Sequence, residues 1–256
     1  MENKKALVWF RNDLRINDQN SLAKTCEENN HVIAVYCFDP RHFAQTKYGF
    51  KKTERFRAKF LLETVAELRD NLLEKNISLL VYYDTPENVF PKLLVENNIS
   101  KIYFQKEWTS EEQDVLNNLQ KLLPSTEFIE TYAQFLFHPD DLPYSDFQDI
   151  PNVFTNFRNV VEKDFKIRPL ISIEKKPDSN LLTAITEIPS LKTLGFEDFE
   201  MDIRTAFPFS GGENQALKIL QQDSMVYYFS PCKKYIMSKY HKAQSIMLWA
   251  AYLFYR

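Results

Sequence analysis

Glycine is scarce in this chain of 256 residues: Gly49, Gly195, Gly211 and Gly212 are all it has. None follows a strand-like run in a GxGxxG or GxxxxGK[ST] arrangement, the spacings that let a backbone close on a pyrophosphate or triphosphate. The loop after the first apolar run reads Arg11-Asn12-Asp13-Leu14-Arg15 instead, which disfavours direct NAD binding and P-loop ATP hydrolysis. Cysteine is equally sparse. Cys26, Cys37 and Cys232 have no CxxC spacing and no His pattern beside them, so reduced thiols are expected rather than a zinc site or a disulfide framework. The four histidines are scattered, without HExxH spacing or triad-like company. Hydrolase chemistry has no foothold, and neither metal ligands nor catalytic residues are expected. His138, in a proline-bounded loop, reads as structural.

An excess of positive charge is also missing. With 32 Lys and Arg against 35 Asp and Glu, the net charge is −3, too acidic for a protein held on nucleic acid by bulk charge. The strongly apolar stretch at 246–255 is about half the length that spans a bilayer, and no charged segment leads into a signal-like apolar run at the start. A cytoplasmic address without membrane contact is the expectation.

What is present is globular composition, 44% hydrophobic and 26% charged. Short β-branched and aromatic runs at 6–10, 32–38, 78–83, 101–104 and 127–131 alternate with longer segments of helical spacing. The clearest helix is predicted over 51–75, with Phe56, Phe60, Leu61, Val65, Leu68 and Leu72 on one face and charge on the other. Two further helix starts are marked by Thr85 before Pro86 and by Thr109 with Glu112, a capping box. The pattern predicts an α/β fold, a doubly wound parallel five-stranded sheet occupying residues 1–135.

Beyond it, a loop carries His138, Pro139 and Pro143, and 152–163 reads as an amphipathic helix with Val153, Phe157, Val160 and Val161 inward. Residues 164–210, with Pro169, Pro177, Pro189 and Pro208 among polar residues, read as a long connecting arm rather than a packed layer. The expected division is therefore 1–135, then 136–210 as terminal helix and arm, then 211–256 as the start of something further and a tail.

The run Leu7-Val8-Trp9-Phe10-Arg11-Asn12-Asp13-Leu14-Arg15, with Asp18 and Leu22 beyond it, resembles the opening of photolyases and cryptochromes. The resemblance continues through Phe38-Asp39-Pro40-Arg41, the segment 52–63, His138-Pro139-Asp140-Asp141-Leu142-Pro143 and Val153-Phe154-Thr155-Asn156-Phe157-Arg158, and is greatest to the DASH cryptochromes. It runs from residue 5 to about 217, closing on Phe207-Pro208 and Gly211-Gly212-Glu213. The resemblance implies a Rossmann-like N-terminal domain that helps hold an antenna chromophore, often a folate such as 5,10-methenyltetrahydrofolate. It also implies a helical domain that holds FAD, whose excited reduced form splits pyrimidine dimers in DNA. Residues 219–256 do not align with the expected helices. The expectation is a chain truncated by a frameshift or premature stop, with a dedicated short form as the alternative, in either case without the FAD domain, inactive alone and not itself binding DNA.

Glu107, in Gln105-Lys106-Glu107, matches the folate-contacting glutamate of DASH-type members, where an ionised carboxylate accepts paired N–H bonds from a pterin ring. Lys106 and Phe10 are weaker candidates for the same pocket. Arg11, Asp13 and Arg15 are expected either in an intradomain ion-pair network or facing a helical partner domain. Three functional readings follow: a remnant of a light-driven repair enzyme or photoreceptor, a non-catalytic module binding folate or another protein, and a generic mononucleotide-binding α/β domain. The family's antenna pocket is completed partly by the helical domain, so folate binding by this chain is expected to be weak. Oligomeric state is not readable from the sequence.

Overall fold

The strand-like runs form one sheet. The computed structural model describes residues 5–132, 134–135, 138–164, 168–200, 202, 204 and 209–221. Strands β1 (Lys5–Phe10), β2 (Val32–Cys37), β3 (Ser78–Tyr82), β4 (Ile99–Gln105) and β5 (Glu127–Thr131) lie in the order β3-β2-β1-β4-β5, parallel throughout. Helices α1 (Asn20–Glu28), α2 (Arg55–Glu74), α3 (Pro86–Asn97) and α4 (Ser110–Leu122) connect them. This is the doubly wound five-stranded sheet expected from the alternation.

β2 is apolar along its whole length and β1 from Ala6 onward, because both faces of the sheet are covered there. Val8, Phe10, Ala34 and Tyr36 point to the side of α1 and α2, where Leu22, Val65, Leu68 and Leu72 meet them. Leu7, Trp9, Ile33 and Val35 point to the side of α3 and α4 and pack on Phe90, Leu93, Leu116 and Leu119. Trp9 meets Phe90 edge to face, ring centroids 5.2 Å apart.

Helix boundaries follow local chemistry. α2 begins at Arg55, four residues later than predicted, and Phe56 in its first turn is 54% exposed rather than in the core, its ring edge on Phe199. Thr109 caps α4 with a complete capping box, Glu112 returning to the Thr109 backbone. Thr85 stands at the N-cap of α3 before Pro86 but makes no side-chain cap bond. Asp84, one residue earlier, steadies the entry by accepting from the Thr85 amide at 2.7 Å and from Asn88 Nδ2 at 2.9 Å.

Helix α5 (Phe154–Asp164) covers the segment predicted over 152–163, but only part of its apolar stripe is inward. Val161 is buried, whereas Val153 and Val160 are exposed. Phe157 is half-buried and stacks on Tyr144, ring centroids 6.0 Å apart.

The arm is more than a connector. Ile173, Leu194 and Phe196 are buried in the α1–α2 core, and Asn180 is inserted at the amino ends of β2 and β3. Its Nδ2 donates to the carbonyls of Val32 at 3.0 Å and Asn76 at 2.7 Å, and its Oδ1 accepts from the Val32 amide at 2.8 Å. Removing that amide would strand three backbone groups in a dry environment. Asn180→Ala is expected to cost about 3 kcal/mol, read as a lowered denaturant midpoint at unchanged slope.

Helix α6 (Glu213–Gln221) is docked by carboxylates. Glu63 accepts from the Gly211 amide at 2.8 Å, and Glu67 accepts from the Asn214 amide at 2.7 Å, so two acids one turn apart on α2 satisfy the start of α6. Glu213, itself buried, accepts from the amides of Ile16 at 2.9 Å and Asn17 at 3.0 Å. Residues 222–256, including Cys232 and the apolar stretch at 246–255, lie outside the described residues, as does Phe207-Pro208. Among the described residues Cys26 and Cys37 are free thiols, and no helix is long and apolar enough to cross a membrane.

Candidate functional site

In a doubly wound sheet, two connections leaving in opposite directions open a crevice at the carboxyl ends of the strands. Here the reversal falls between β1 and β4, which pair from Ala6–Lys101 to Trp9–Phe104. A cavity of about 610 Å³ opens there, walled by the loop after β1 (Arg11, Asn12, Arg15), the loop after β2 (Asp39, Arg41, His42) and the end of β4 with the start of α4 (Gln105, Glu107, Glu112).

Glu107 is 3% exposed and accepts from Asn12 Nδ2 at 3.1 Å and Gln105 Nε2 at 3.2 Å. Burial, reinforced by the negative charge of Glu112, pushes its carboxyl up to about 7, against the opposing pull of Arg11. Asn12 Nδ2 is shared, since it also donates to Glu112 Oε1 at 3.1 Å. Arg11 lies over the Trp9 ring, 4.6 Å from its centroid, and donates from Nη2 to the Glu112 carbonyl at 3.2 Å. Three buried polar atoms among the residues lining the cavity have no partner: Arg11 Nη1, Gln105 Oε1 and Gln134 Oε1. An orphaned donor and two orphaned acceptors around a buried acid are groups that a polar ligand would satisfy.

The second wall is an ion-pair network. Asp39 is buried and bonded to the backbone and side chain of Arg41, which reaches Glu87 Oε1 at 2.9 Å. Burial works to raise the Asp39 carboxyl, but its bonds to Arg41 outweigh that and hold it below the usual range. Lys52, before α2, pairs with Glu111 at the start of α4 and spans the mouth. Among the described residues no group of three His, Cys, Asp or Glu side chains is placed to hold a metal ion.

The predicted site residues separate. Glu107, Phe10, Arg11 and Arg15 line the cavity, although Phe10 is fully buried and belongs equally to the core. Lys106 points the other way, to Glu130 at 3.5 Å and over the rings of Trp108 and Tyr132. Asp13, 1% exposed, folds the loop: it accepts from the Arg11 amide at 2.9 Å and from Gln19, which caps α1. Arg15 donates to the carbonyls of Asn17 at 3.2 Å and Asp18 at 3.1 Å. Asn12 and Gln105, the partners of Glu107, were not singled out by the sequence reading. The signal for Gln105 was its two-residue spacing from Glu107, which puts both on one side of an extended segment, while Lys106 between them faces away.

A family model described as DNA photolyase matches residues 6–178. The chain belongs to the DNA photolyase family. Within that family it is 39% identical to a Cryptochrome DASH of Gloeobacter violaceus over 254 residues, 98% of this chain and 49% of the relative. That pairing continues beyond Lys218. A Cryptochrome DASH of Synechocystis sp. is 39% identical over 84% of this chain and 44% of its own length. The crystal structure of a Synechocystis sp. cryptochrome superposes with a TM-score of 0.77 at 38% identity, covering 85% of this chain and 45% of that one. The chain spans about half the length of the photolyase-family relatives it matches. An archaeal photolyase from Sulfolobus tokodaii, described as holding two FAD molecules with a novel light-harvesting cofactor implied, shares the fold with a TM-score of 0.65 at 23% identity.

Proposed function

We propose that this chain supplies the α/β antenna domain of a light-dependent DASH-type protein, with a flat pterin-like chromophore held in the cavity at the β1–β4 reversal. The observation that carries this is the set of Glu107, the unpartnered Gln105 Oε1 and the unpartnered Arg11 Nη1 on one wall. A pterin edge presents adjacent N–H donors and a carbonyl, the complement of a carboxylate, an amide oxygen and a guanidinium N–H. The bound group would absorb light and pass on the excitation. The chain's part is to hold its ring, neutralise its edge and exclude water, with Phe10 and Trp9 forming the apolar floor. FAD chemistry and the splitting of pyrimidine dimers in DNA belong, on this reading, to the portion of the relatives that this chain does not span, and dimer splitting by this chain alone is not expected.

The test is titration of the chain with 5,10-methenyltetrahydrofolate, followed by chromophore fluorescence. Glu107→Gln is expected to weaken binding about tenfold at pH 8, because one charge-assisted contact is lost. Wild-type affinity should fall as pH drops through about 7, where the Glu107 carboxyl takes up its proton and can no longer accept two N–H bonds. Equal affinities for wild type and variant would refute the assignment. A thermal shift with AMP or FMN but none with folate would favour the mononucleotide-binding alternative.

A further inference from the structure

At about 610 Å³ the cavity is larger than one bicyclic ring fills, and the charges around it are sorted by side. Glu107, Glu112 and Asp114 stand on the β4–α4 side, whereas Arg15, Arg41, His42, Lys52 and Arg57 come from the loops after β1 and β2 and from the start of α2. Asp39 is the acid of that second side, and Arg41 already holds it. Glu111 reaches across from α4 only to pair with Lys52, and both side chains are exposed, where an ion pair is weak and exchanges readily for another. A ring whose donor edge meets Glu107 therefore leaves a cationic remainder of the cavity to be filled.

The positive character of that end is visible in His42. Burial, with the charges of Lys52, Arg41 and Arg57, holds its imidazole below the ordinary value against the pull of Asp39, so three cations act on one ring. The start of α2 adds to them. Glu54 at its N-cap makes no side-chain cap bond and does not line the cavity, and no acid stands in the first turn, so the positive end of this 20-residue helix is uncompensated. Thr53 and Arg57, on either side of that N-cap, both line the cavity. The same cavity holds Gln105, 3% exposed with its Oε1 unpartnered, which marks it as a place for a ligand independently of the helix end.

The spread of these cations selects the kind of anion. A single phosphate is gripped by a tight cradle of backbone amides, and no glycine follows a strand here to form one. Cations brought from separate elements suit several carboxylates spaced along a chain. We propose that the α2 end of the cavity is a subsite for the γ-linked oligoglutamate tail of a folate, with Lys52 and Arg57 taking tail carboxylates and Glu111 giving up Lys52 as the tail enters. The subsite rests on the antenna reading above, because Glu107 must hold the ring for the tail to reach α2.

The test is titration of the full chain with 5,10-methenyltetrahydrofolate in its monoglutamate and triglutamate forms, followed by chromophore fluorescence. The triglutamate should bind about tenfold more tightly, roughly threefold for each added carboxylate. That preference should shrink as salt rises from about 50 to 500 mM, because the contacts are near the surface. Lys52→Gln with Arg57→Gln should abolish the preference, Glu111→Gln should enlarge it by releasing Lys52, and Glu107→Gln should weaken both forms by the same factor. The Lys52, Arg57 and Glu111 variants should keep the wild-type denaturant midpoint, since these side chains are exposed. Equal affinities for the two tail lengths, or a preference that survives the double substitution, overturns the subsite and leaves the ring site standing. Failure of both forms to bind removes the antenna reading and the subsite with it. Binding of FMN that is lost in the double substitution, with indifference to folate tail length, would make this end a phosphate site and overturn the assignment.

Discussion

Glu107→Gln is expected to make the chain more stable at pH 8, by about 3 kcal/mol, while it weakens folate binding. The carboxyl titrates at about 7 in the folded chain against an ordinary 4.5, so the folded state holds a proton that the unfolded state has already released. A folded value above the unfolded one contributes stability that is fully present below about 4.5 and is lost as pH rises through about 7. At pH 8 the wild type therefore carries the whole cost of a buried charge, close to 1.4 kcal/mol for each unit of displacement. Glutamine removes the charge and keeps an oxygen that can accept from Asn12 and Gln105. Denaturant melts of both proteins at pH 4.5, 6, 7 and 8 measure this. The gap should open with rising pH, and a constant offset would mean that Glu107 titrates normally.

Gly211→Ala is expected to cost about 3 kcal/mol and to loosen α6 specifically. A Cβ at this position would stand 2.1 Å from the Phe60 carbonyl oxygen and 2.5 Å from Thr64 Oγ1. The first obstacle is helix backbone and cannot turn aside. The start of α6 must back away from α2, which breaks the bonds from the Gly211 and Asn214 amides to Glu63 and Glu67. Gly49→Ala is the control: it has a positive φ of 86° but nothing within 4 Å of an added Cβ, so only the backbone cost of about 1 kcal/mol applies. Hydrogen exchange distinguishes the two. The Ile16 and Asn17 amides, which donate to Glu213, should lose protection in Gly211→Ala and keep it in Gly49→Ala. Retained protection at both would show that α6 tolerates the methyl group.

The sheet was legible because its strands are continuous apolar runs, and β5 was bounded at the same residues, 127 and 131. β4 begins earlier than its predicted start because α3 turns into it through a single left-handed residue, Asn98 at φ 52°, with no loop to announce the change. Helical periodicity placed an apolar face on α2 and α5 but not the body that covers it. Phe56 meets Phe199 and Val160 meets solvent, because amphipathicity records composition around an axis and not what stands opposite. The arm was underestimated for a related reason. Its buried residues are scattered singly, so no period betrays them, and Asn180 is held by hydrogen bonds to groups about 100 residues or more away. At the cavity, family likeness pointed to Glu107. The orphaned atoms of Arg11 and Gln105 required the pairing of β1 with β4, which brings together side chains far apart in sequence.

Glu213 grips main chain rather than a side chain, and it does so at two consecutive amides just beyond Arg15. Residues 11–17 are thus pinned at both ends, by Asp13 and Gln19 on one side and by α6 on the other. The wall of the cavity and the outgoing chain share a fastening. Displacing α6 would therefore disturb the loop that carries Arg11 and Asn12, so the cavity wall keeps its shape only while α6 stays docked.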